Sequence, residues 1–380
     1  MNIWKIFTDN LQGLQEEMGV SIRLTETRRG RLFPRVDLKT GEIPFNTKLR
    51  AFVALYNYML LHPETGCEAV SLYTLYNMYL DTCRYDDAEQ CLTRLEAELS
   101  KIRSAAGSET DPLTAQSVEL QVIFILLHEC AHMVFHVNRD YRTLILRNVR
   151  ERIEDQQIDP SDIPDRMKEY MESFIPDNMP DDLRRQLTQE MHEKMQELAG
   201  QVFDFSPYLD PSDDSTLEEF GCDQVACGLA LGRFINLNPK GDAVMEAAIE
   251  IFMALYILDY DRCFQSIYRG LCGERMVEMP RIAGARHANL RGFIYELFLQ
   301  HGTREIAREF LRQAEARDEG GKRLMLPSVL DHLTDMLVMQ HTAEGEPQRS
   351  RALPLEQRFV RIEAEILRFL GCQHTFWGVF

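Results

Sequence analysis

Apolar residues recur every three to four positions over most of this chain, which predicts a mainly helical protein. Leu49, Phe52, Val53, Leu55, Tyr56 and Met59 mark a helix from Asn46 to about Leu61. Leu72, Leu75 and Tyr79, then Leu92 and Leu95, line two more helices joined through Arg84-Tyr85-Asp86-Asp87-Ala88. Val122 to Leu127 is uninterruptedly apolar. Asp111-Pro112 upstream reads as an N-cap with proline at the first helical position, so that helix is expected from about 112 to about 137. Beyond about 235, helices are expected at 241–258, 260–269, 288–300, 303–316, 327–340 and 354–370, with a loop in 279–287. Alternation belongs to the N-terminal region. Residues 20–25 and 31–37 read as short strands joined at Arg28-Arg29-Gly30 into a hairpin. The fold class is therefore mainly α with a small β hairpin or sheet (α+β).

Composition shifts divide the chain into three expected parts: an N-terminal hairpin and helical region over 1–110, a central part over 111–235, and a helical C-terminal domain over 236–380. The helix pair at 72–95 resembles one tetratricopeptide unit, but no second copy follows at the 34-residue period, so a solenoid is not expected. It reads as a helical hairpin buttressing the central helix. Residues 151–216 form an acidic, proline-interrupted insertion whose anchors, among them Tyr170, Phe174 and Phe205, suit a wall or lid over a cleft.

A formal charge of −18 argues against a nucleic-acid partner and against attraction to anionic membranes. No charge-free apolar run reaches 18 residues, so no membrane insertion is expected, and the first residues lack a signal-peptide core. Nine cysteines in 380 residues are too sparse for a disulfide scaffold, which makes a reducing cytoplasm the expected setting. Cys130 and Cys222 read as small packing residues.

The chemistry concentrates in His128-Glu129-Cys130-Ala131-His132, an HExxH array on the apolar helix. One turn separates the two histidines, so both imidazoles leave one face at a spacing suited to a single Zn²⁺. Glu129 can then reach a metal-bound water as general base. A catalytic zinc site needs a third protein ligand. Asn138 and Phe135 stand where the metzincin pattern has histidine and glycine, and His136 lies a further turn along, too far for a straight helix to converge. Glu219 is the better candidate. Ser215-Thr216-Leu217-Glu218 fits a capping box, which accounts for Glu218 and leaves Glu219 to ligate. Asp223, one turn on, can accept a hydrogen bond from the far nitrogen of a ligating histidine. Cys222, Ala226 and Cys227 are small enough for close helix approach.

His128-Glu129-Cys130-Ala131-His132 with Glu219-Phe220-Gly221-Cys222-Asp223 resembles the gluzincin metallopeptidases, whose second signature is ExxxD on a later helix. These include the HtpX and Oma-type membrane peptidases and, more distantly, soluble peptidases of the Lit type. The resemblance implies a zincin-like core, Zn²⁺ as cofactor, His128, His132 and Glu219 as its ligands, Glu129 as catalytic base and Asp223 as supporting carboxylate. It covers about 111–137 and 214–232. The expected function is a zinc-dependent endopeptidase acting on a protein or peptide substrate that must be extended, with the strand at 31–37 as a candidate guide. The alternatives are a non-catalytic helical interaction module with a structural zinc, and a zinc-dependent hydrolase of a non-peptide substrate. Arg286, His287, Tyr268 and Tyr295 form a pool from which an oxyanion donor would come. The helical regions and the aromatic C-terminus are candidate surfaces for a protein partner.

Overall fold

The computed structural model describes residues 3–105, 115–156, 213–237, 242–271, 279–301, 304–324 and 347–370. Within them run α1 (Ile3–Met18), β1 (Arg23–Thr27), β2 (Glu42–Asn46), α2 (Leu49–Leu61), α3 (Pro63–Asp81), α4 (Tyr85–Ala105), α5 (Ala115–Val137) and α6 (Arg139–Gln156). The second half supplies α7 (Asp214–Leu237), α8 (Asp242–Leu271), α9 (Met279–Gln300), α10 (Arg304–Leu324) and α11 (Arg349–Phe369). The protein is mainly helical, with one small sheet.

That sheet is not the expected hairpin. β1 and β2 pair in parallel, Arg23 opposite Glu42 and Thr27 opposite Asn46, while residues 31–37 run between them without forming a strand. Two prolines account for this. Pro34 brings no N–H to a ladder. Extending the isolated antiparallel bridge between Asp37 and Glu42 by two residues would set Arg35 against Pro44, which brings none either. The turn back into β2 closes with the Gly41 amide on the Asp37 carbonyl at 2.7 Å. Gly41 sits at φ +68°, where a side chain would run into the Ser21 carbonyl, so only glycine fits.

α5 is the hub. Every residue from Val118 to Leu127 is buried, and α1, α2, α6, α7 and α8 all pack against it. A helix apolar on every face suits such a position. The two buried polar residues within 118–127 are matched: Glu119 pairs with Arg50, and Gln121 bonds Asn57 at 2.6 Å and Glu250 at 2.7 Å. Among the described residues, Gln116–Val137 is the one helix long and apolar enough to cross a membrane, and 78% of its apolar window lies inside the protein. One large hydrophobic cluster draws on residues from Ile6 to Leu370, and a second, small one joins α6 to α7 through Leu146, Val149, Ile153, Leu217 and Phe220.

Other expectations fare unevenly. The tetratricopeptide-like pair is α3 and α4, whose principal neighbours are α2 and α11, so it supports α5 through α2 rather than directly. The stretches 241–258 and 260–269 are one helix, α8, and residues 279–287 open α9 instead of forming a loop. The first part of the acidic insertion is α6, and its continuation over 157–212 lies outside the described residues. So do the Asp111-Pro112 cap, the helix at 327–340 and the aromatic end at 375–380. Cys130 and Cys222 are buried and free, as small packing residues should be.

Candidate metal centre

α5 and α7 bring the two sequence motifs face to face, and the local sequence explains how closely. Gly221 packs against Ile145 and Phe135. A Cβ there would lie 3.0 Å from Ile145 Cγ2 and 3.2 Å from the Phe135 ring, so a larger residue would require those side chains to give by a few tenths of an ångström. Cys222, Ala226 and Cys227 are fully buried along the same contact. Asp213 anchors the start of α7: its carboxylate accepts the Ser215 amide at 3.0 Å and the Thr216 hydroxyl at 2.6 Å. Asp213 therefore replaces the expected Ser215–Glu218 capping box, and Glu218 is free for another contact.

The expected ligand atoms converge. His128 Nε2 and His132 Nε2 stand 3.3 Å apart, and Glu219 places Oε2 3.2 Å from the first and Oε1 3.7 Å from the second. His128, His132 and Glu219 are thus a group that could hold a metal ion. His136 is exposed and outside this group, in line with its place a turn too far along α5.

Each imidazole has a carboxylate at its far nitrogen. Asp223 Oδ1 lies 2.9 Å from His128 Nδ1, close but off the line of an ideal N–H bond, and Glu218 Oε1 lies 3.4 Å from His132 Nδ1. Glu218 is held in turn by Arg142 Nε at 2.7 Å. Such partners fix the tautomer and the ring direction of a histidine ligand. Glu129 sits beside the group, its Oε2 accepting the Val36 amide at 2.8 Å. Among the described residues no other contact engages that carboxylate.

Behind His128 lies a chain of buried charge. Arg286 has no exposed surface and clamps both Asp223 oxygens through Nε and an Nη, the latter at 2.5 Å. It also reaches Asp259 at 3.5 Å, and His287 Nε2 meets the other Asp259 oxygen at 2.8 Å. Arg262 pairs with Glu219. Burial disfavours the His128 imidazolium, but the bonds and charges of Asp223 and Glu219 outweigh it and hold its pKa up to about 9. Burial alone would raise Glu219, yet His128 and Arg262 pull it well below the usual carboxylate range. Asp223 is likewise held low, Arg286 outweighing burial.

This geometry removes Arg286 and His287 from the oxyanion pool, because both are committed to buried carboxylates. The Tyr295 side chain packs at the margin of the core, and that of Tyr268 lies outside the described residues. Sequence reasoning missed Glu218, Arg142, Arg262 and the Arg286–Asp259–His287 chain. One signal was legible: Asp259 follows the apolar stretch Ala247 to Leu258 in the same helix, and a carboxylate buried at such a place needs a partner.

No protein-family model matches this chain, and no curated protein or solved structure matches it either. The convergence of His128, His132 and Glu219 is consistent with an HExxH-like metal site.

Proposed function

We propose that this protein is a zinc-dependent endopeptidase with a zincin-like, gluzincin-type site. The observation that carries the reading is the spacing of the three donors. Atoms held about 2.0–2.2 Å from a tetrahedral ion stand about 3.3–3.6 Å apart. The two imidazole Nε2 atoms are 3.3 Å apart, with Glu219 Oε2 3.2 Å from the His128 nitrogen and Oε1 3.7 Å from the His132 nitrogen, and one atom from each residue lies within 4.8 Å of the others. Two imidazoles and a carboxylate are the donor types zinc takes at catalytic sites. Among the described residues three such groups converge rather than four, which suits a site keeping one position open. That favours catalysis over a closed structural role.

His128, His132 and Glu219 would hold the ion, which when bound supplies a Lewis acid and an acidified water. The rest of the chemistry belongs to the chain. Glu129 takes the proton of the attacking water and returns it to the leaving amine. The Val36 amide fixes one oxygen of that carboxylate and leaves Oε1 to carry the proton. Asp223 and Glu218 keep both imidazoles turned with Nε2 toward the shared point. Arg286, locked between Asp223 and Asp259, keeps Asp223 ionised at the bottom of the site.

Glu129→Gln tests the reading. Zinc content and fold should be retained while peptide hydrolysis falls by about 10²–10⁴-fold, since the amide accepts no proton. Metal analysis beside a peptide-cleavage assay separates the outcomes. Loss of zinc together with activity would assign Glu129 a structural role and remove the base from the mechanism.

A further inference from the structure

We infer that the cleft between the 29–37 segment and β2 is a subsite for an acidic side chain of the polypeptide substrate. The cleft holds about 520 Å³, and Val36, whose amide bonds Glu129, forms part of its wall. One residue of its wall is therefore bonded to the base of the proposed reaction, and the inference rests on that reading for its location.

The cleft exists because the ladder begun at Asp37–Glu42 cannot continue past Pro44. An extended peptide entering it gains little from main-chain pairing. Pro34 and Pro44 have no N–H to offer, and the Val36 N–H is already taken. Recognition falls to side chains, and the side chains here are basic. Arg29, Arg31 and Arg35 line the cleft against Asp37 and Glu42, a local excess of positive charge in a chain of net −18.

The partners of these groups sharpen the point. Arg28 is paired with Glu363 and Arg29 holds Glu356 through two nitrogens, so this end of the segment is pinned to α11. Glu42 takes Arg23, and the Asp37 carboxylate accepts the Lys39 amide at 2.9 Å. Among the described residues no ion pair or hydrogen bond engages the side chains of Arg31 and Arg35, both exposed. Two guanidiniums beside Phe33 and Pro44 suit a carboxylate on an aliphatic stem, glutamate above all, because the fork of each guanidinium matches a carboxylate in two-point geometry.

The test uses the full chain carrying Glu129→Gln, so that binding is read without turnover. A neutral, unstructured peptide is labelled with fluorescein, and glutamate or glutamine is placed at each position in turn. The glutamate peptide should bind about tenfold tighter than its glutamine counterpart at one or two positions. Arg31→Gln with Arg35→Gln should erase that preference, while thermal melting confirms that the protein is folded. Equal affinities throughout, or a glutamate preference that survives the double substitution, would overturn the proposal. The two readings fail separately. Cleavage by the unsubstituted protein without acidic preference leaves the peptidase standing and removes the subsite. Glutamate-selective binding without any cleavage does the reverse.

Discussion

Beside the sheet, Lys48 is buried with its ammonium on Asn77 Oδ1 at 2.8 Å and against the rings of Tyr76 and Phe359, while Glu363 from α11 receives Arg28 and Tyr73. Between α5 and α7, His128 and His132 turn two Nε2 atoms toward each other at 3.3 Å with a carboxylate across from both. Both are buried polar clusters built from distant parts of the chain. The first pairs its charged donors with acceptors: Lys48 with Asn77, and Arg28 with Glu363. The second sets two imidazole nitrogens against each other and is balanced by a proton on His128 and by Arg262 on Glu219. A cluster balanced by a removable proton can exchange that proton for a metal ion.

The comparison is broken most severely by Glu363→Ala. This removes the acceptor of Arg28 and the nearest counter-charge of buried Lys48, whose pKa burial already depresses. Stranding a buried charge costs about 3–5 kcal/mol, so urea unfolding should show a loss of that order. Zinc affinity should be unchanged, because α11 packs mainly on α2 and α4 rather than on the motif helices. A parallel fall in zinc affinity would mean that the two clusters are one coupled unit.

Asp223→Asn probes the other cluster more gently. The amide keeps the volume but no longer answers Arg286 or His128 with a full charge. Zinc affinity should drop about 10–100-fold, as for other carboxylates that orient a ligating histidine. Competition with a chromophoric chelator reads this directly. An affinity within twofold of the unsubstituted protein would reduce Asp223 to a core ion pair of the Glu363 kind.

The two clusters also differ in how far the sequence disclosed them. HExxH on an apolar run is a period-and-spacing signal. It located His128, Glu129 and His132, and the small residues after Glu219 announced a close helix contact. Glu363, Lys48 and Arg28 offered no such signal, because their meeting depends on where α11 docks, over 300 residues from the sheet. The same limit explains the hairpin error. Alternation at 31–37 does not survive in the structure, where Leu32, Phe33 and Pro34 are buried in succession between exposed Arg31 and Arg35, and strand pairing needs an N–H that the two prolines withhold. Glu218 was assigned to a cap because the sequence cannot say that Asp213, two residues earlier than Ser215, takes that role. The sequence also suggests a helix break at 259 and a loop in 279–287. Yet Asp259 is neutralised by Arg286 and His287, and proline is tolerated in the first turn of α9.

Taken per pH unit, the smallest effect is the one that most directly reads the protonation of the convergence point. His128, with its pKa held at about 9 against an ordinary 6.5, carries a proton at neutral pH in the metal-free protein. A raised folded-state pKa means that this proton stabilises the metal-free fold fully below about pH 6.5, and that the contribution is lost as pH rises through 9. A metal ion needs the neutral imidazole, so binding expels the proton. Zinc affinity should therefore climb with pH, by about tenfold per unit between pH 7 and 9, and level off above. Calorimetric titrations in buffers of different ionisation enthalpy should count close to one proton released per zinc at pH 7.5, and close to none at pH 10. In the Asp223→Asn variant the pKa loses its main support, so the plateau should begin at lower pH. A pH-independent affinity over this range would mean that His128 is already neutral, and that the cluster between α5 and α7 balances its charge without a cation, as the Lys48 cluster does.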